Sequence, residues 1–108
     1  VVQLALQLQH DLENLNYGLD ALEQEALQAA EDYTLAKARA ELAAGGATVA
    51  ARDAEVMLAT HAERIRAKTA EILVRGRKRQ IDTLGIRIGV VRTAAATLRA
   101  EQDYNRIR

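Results

Sequence analysis

The stretch Ala5–Ala43, ALQLQHDLENLNYGLDALEQEALQAAEDYTLAKARAELA, decides the fold. Its apolar residues form two series at seven-residue intervals: Ala5, Leu12, Leu19, Ala26, Tyr33 and Ala40 in one, Leu8, Leu15, Leu22, Ala29, Ala36 and Ala43 in the other. No position in either series is charged. Side chains spaced alternately three and four apart share one stripe of an α-helix, so the six heptads predict a helix over residues 1–43, about 65 Å long at 1.5 Å per residue, packed along a narrow seam. Leu fills the first half of the seam and Ala most of the second, so a partner helix is expected closer near Ala36 than near Leu15. Gly18 costs about 1 kcal/mol in helix propensity and marks a weak point or a close contact.

Outward from this stretch, Gly45-Gly46 ends the helix where a positive φ is available, and Thr48 is placed to cap the next helix. A short helix over 49–60 and a long one over 62–104, bent near Thr60-His61, complete an all-α, antiparallel helical hairpin, a single domain of residues 1–108 that assembles into an oligomeric bundle. The seam of the second long helix reads Ile81, Leu84, Ile88, Val91, Ala95 and Leu98, with Ile65, Thr69, Ile72 and Gly76 upstream in a shifted phase. Beside it Ile86, Val90 and Ala94 form a second apolar stripe. A helix apolar on two sides needs two partners, which makes Ile81, Leu84, Ile86, Ile88, Val90, Val91 and Leu98 the expected oligomer interface. Gly85 and Gly89 would permit a close backbone crossing there, and a short strand through Ile86-Arg87-Ile88 is the alternative for this stretch.

Composition agrees with long helices. Among 108 residues there is no Pro, Cys, Trp or Phe. The lack of Cys excludes disulfides, thiolate metal sites and thiol nucleophiles, and suits an intracellular, cytoplasmic protein. The longest apolar stretch, Leu84 to Leu98, carries Arg87 and Arg92 and falls short of the roughly 20 residues of a membrane span. No phosphate loop, nucleophile elbow or carboxylate pair is present, and neither His10 nor His61 has the companions a metal site requires. The expectation is a protein with no catalytic residues, cofactor, metal or small-molecule substrate.

Net charge is zero, yet the halves oppose each other. Residues 1–60 hold ten acids against three bases, a net of −7, and residues 61–108 hold twelve bases against five acids, a net of +7. The bases cluster as Arg64, Arg66, Lys68, Arg75, Arg77, Lys78 and Arg79, opposed only by Glu71. At 100° per residue, Arg64, Lys68, Arg75 and Arg79 share one face, a ridge suited to the backbone of a polyanion. Two alternatives stand beside that one: a solvated face laced by Glu71 and Asp82, or a ridge paired with the acidic first helix.

Ala30-Glu31-Asp32-Tyr33 with Lys37-Ala38, then Gly46, Thr48-Val49 and Arg52, then Arg79-Gln80-Ile81-Asp82 and Leu84 resemble small helical proteins of bacteriophages in the recombination-mediator (UvsY-like) family, over about residues 25–95. The resemblance implies a homo-oligomer, acting inside the host cell, that binds single-stranded DNA and helps load a recombinase in place of a single-strand-binding protein. Carried over residue by residue, Arg75, Arg77, Lys78 and Arg79 would be the DNA contacts, joined on the ridge by Arg64 and Lys68. The alternative function is a structural coiled-coil adaptor without nucleic-acid binding.

Overall fold

The computed structural model describes residues 2–107 and contains three α-helices: α1 Val2–Ala43, α2 Val49–Ala59 and α3 His61–Ile107. The expected helical hairpin is present, with α3 running three residues past the end that its periodicity suggested; Val1, the expected first helical residue, lies outside the described residues. The strand considered at Ile86–Ile88 is helix.

The turn between α1 and α2 is built from three local devices. Thr48, extended at φ −120° and ψ 163°, accepts the Ala51 N–H on its Oγ1 at 3.1 Å, the cap expected of it. The Glu55 carboxylate accepts the Gly45 N–H at 3.0 Å. Gly46 is required for a different reason from the one expected. Neither turn glycine has a positive φ; instead a Cβ on Gly46 would lie 2.9 Å from both the Ala51 Cβ and the Arg52 backbone nitrogen, so only glycine fits. At the second junction Thr60 alone separates α2 from α3. It is buried, its N–H and its Oγ1 both donate to the Val56 carbonyl, at 3.0 and 2.7 Å, and its own carbonyl accepts from Arg64 N–H at 2.9 Å.

The molecule divides into two compact units, each drawing on both long helices: Val1–Leu19 with Arg77–Arg108, and Asp20–Gly76. In the first, Ala5, Leu8, Leu12, Leu15 and Leu19 of α1 turn inward against Arg77, Ile81, Leu84, Ile88, Val91 and Ala95 of α3. In the second, Leu22, Ala26, Ala29, Tyr33, Ala36 and Ala40 turn inward, with Thr60, Glu63, Ala67, Ala70 and Val74 on the α3 side and Val56 from α2. Every member of the α1 seam read from sequence is thus sheltered except Ala43.

The α3 seam requires a correction. From Thr60 to Ala95 the sheltered residues alternate three and four apart without a break, so there is no change of phase at Gly76. Of the four upstream residues assigned to the seam, Ile65, Thr69 and Ile72 point outward and are exposed, Ile72 by 59%, while Gly76 is half-buried next to Arg77. The α1 residues of that unit are mostly alanines, and a close alanine-lined contact takes Ala67 and Ala70 and excludes isoleucine. Glu63 and Arg77 are half-buried at seam positions, and among the described residues Glu63 Oε2 is buried without a hydrogen-bond partner.

Candidate interaction surfaces

The basic segment does not form one free ridge. In the unit Asp20–Gly76 the cation that reaches α1 is Arg66. Its Nη2 lies 2.8 Å from Glu25 Oε1, with Nε at 3.0 Å from the same oxygen, and its Nη1 lies 2.6 Å from Asp32 Oδ2. Glu25 and Asp32 are seven apart and so flank the seam on one side, which lets a single guanidinium span both. The hydrogen bond from Arg66, reinforced by one from Gln28, holds the Asp32 carboxyl below its ordinary range. Pairing of basic α3 with acidic α1 therefore does occur, through Arg66, which the helical wheel had left off the ridge.

Of the ridge residues in this unit, Arg75 bonds Glu71 within its own helix, Lys68 lies 4.0 Å from the same carboxylate, and Arg64 Nη2 lies 3.1 Å from His61 Nδ1. Arg64 and Lys68 also rim a shallow groove, with Ala26, Ala30, Tyr33 and Ala67 along it and Glu71 at its edge. Tyr33, taken from its heptad position for core, is only half-buried; its ring lines this groove, a placement that the seam pattern alone gave no signal for.

In the other unit Arg77 is half-buried on the seam, and its guanidinium lies against Gly18: a Cβ there would sit 3.3 Å from Nη1. Gly18 thus marks the close contact, one of the two roles open to it. Lys78 and Arg79 are exposed.

The expected oligomer interface separates into two sets. Ile81, Leu84, Ile88 and Val91 face the protein's own α1, with Leu84 and Ile88 buried. Ile86 and Val90 face away and are 70% and 63% exposed. With Gly89, Thr93, Ala94, Thr97 and Leu98 they line an open apolar trough on α3. Nothing lies within 4 Å of where a Cβ would stand on Gly85 or Gly89, so the crossing that these glycines permit is not made with the chain itself.

Among the described residues no three His, Asp or Glu side chains gather where a metal ion could be held, and no helix is long and apolar enough to cross a membrane. No family model, no curated protein and no solved structure matches the chain.

Proposed function

We propose that the protein is a non-catalytic helical assembly module that works by binding further helices, first those of its own copies. The observation that carries this is the outward stripe of α3: Ile65, Thr69 and Ile72 in one unit, Ile86, Val90 and Thr97 in the other, set opposite the seam that α1 covers. Exposure supports it. On this stripe Ile65, Ile72, Ile86 and Val90 are 50–70% exposed, large apolar side chains that a partner helix would remove from water. Sedimentation across micromolar concentrations tests the proposal: a species larger than the monomer, growing with concentration, is expected, and a monomer throughout overturns it.

The groove beside Tyr33 favours a second function, a bacteriophage recombination accessory that holds single-stranded DNA and cooperates with a recombinase or a single-strand-binding protein. On this reading Arg64 and Lys68 leave His61 and Glu71 to meet phosphate and Tyr33 meets a base, the pairing of charge and stacking that single-strand binders use. Binding of labelled single-stranded DNA at about 50 mM salt, with affinity falling steeply as salt rises, is the expected result. A folded protein that binds none under those conditions removes this function and leaves the assembly module.

A further inference from the structure

We propose that the trough on the C-terminal part of α3 receives the same trough of a second copy, antiparallel, about a twofold axis passing beside Ala94. The inference rests on self-association and adds its orientation and register.

Arg87, Ala94 and Glu101 are seven apart and run in one line along α3, beside the trough formed by Ile86, Val90, Ala94 and Thr97. All three are exposed, and among the described residues neither Arg87 nor Glu101 makes a salt bridge. An antiparallel pair centred on Ala94 sets Arg87 of each copy beside Glu101 of the other, two complementary contacts related by symmetry, and sets Val90 against Thr97. A parallel pair sets Arg87 beside Arg87 and Glu101 beside Glu101. Charge therefore selects the antiparallel arrangement. A twofold axis makes the contact self-complementary and closes it at two copies. The small residues Thr93 and Ala94 lie at the centre, where the two backbones approach most closely, and Ile86 and Val90 supply apolar area beside it.

The chain contains no cysteine, so a single introduced thiol reports its own neighbours. Under mild oxidation Ala94→Cys should couple to itself, because residues on the axis meet their own copies within disulfide reach. Ile86→Cys and Thr97→Cys alone should not, while Val90→Cys mixed with Thr97→Cys should give the mixed dimer. Self-coupling at positions 86, 94 and 97 alike would reveal a parallel pair and overturn the inference while leaving self-association intact. A wild type that sediments as a dimer without any of these cross-links would place the interface elsewhere, with the same consequence. A monomeric wild type removes both proposals together. As an independent arm, Arg87→Glu or Glu101→Arg should each weaken dimerisation about tenfold, and the two combined should restore it. Failure of the exchange to restore binding counts against the register.

Discussion

Helix α1 has one unbroken seam, with exposed apolar residues such as Leu27 and Leu42 scattered beside it, whereas the apolar residues of α3 divide between a seam and an outward stripe, and that difference governs both what the sequence discloses and what the protein can do. On α1 the heptad series runs unbroken from Ala5 to Ala40, and although Leu6, Tyr17, Leu27, Leu35 and Leu42 stand exposed outside it, the structure returns the seam nearly residue for residue. On α3 an apolar residue can belong to either stripe. Ile65 and Ile72 looked like seam because they are large, yet the seam at that level is Ala67 and Ala70. Hydrophobicity ranks residues by the area they can bury, whereas an alanine-lined contact selects by the space it leaves. The lesson extends to the charges. A helical wheel groups cations by angle, but which of them are engaged depends on acids flanking the other helix, and only the fold brings Glu25 and Asp32 to Arg66. The cap at Thr48 and the bend at Thr60 were legible because each acts on its immediate surroundings; the groove at Tyr33 and the choice between the two roles of Gly18 were not, because both depend on residues from the other helix.

Adjacent valines give the sharpest test of the two stripes. Val91→Asp puts a charge on the stripe that α1 covers and should cost about 3 kcal/mol of folding stability. Val90→Asp, one residue away and 63% exposed, should change the stability of the monomer by no more than about 0.5 kcal/mol. Urea unfolding at low protein concentration measures both. Equal losses would mean that α3 does not have a covered and a free face.

The glycines extend the same comparison with smaller effects. Gly85→Ala and Gly89→Ala add a methyl group into open space on α3 and should each stabilise the monomeric helix by about 1 kcal/mol. Gly46→Ala should be destabilising, because its Cβ would meet Ala51 and the Arg52 backbone at 2.9 Å. Thermal melts that reversed these signs would show that the free face is covered, or the turn open.

The smallest expected change concerns Arg66→Gln. The side chains it joins are 37–53% exposed, so the loss at neutral pH should be slight. The acid limb is more informative. Because the folded Asp32 carboxyl titrates below its ordinary value of 3.8, its contribution is present above that value and disappears as pH falls through the depressed one. Removing the guanidinium should therefore flatten the decline in stability below about pH 4. An unchanged acid limb would show that Arg66 does not hold Asp32.

The junctions at Gly46 and Thr60 also set an order of events in time. Gly45 bonds a residue ten positions away, Arg66 reaches back 34 and 41 positions to Asp32 and Glu25, and Gly18 meets Arg77 across a longer loop still. Closing a short loop costs less chain entropy than closing a long one, so the contacts around α2 form first and bring the later pairs of α1 and α3 together in turn. Assembly of the hairpin is then a zipper that starts at the bend, and the last segments to lock are those that include the trough on α3.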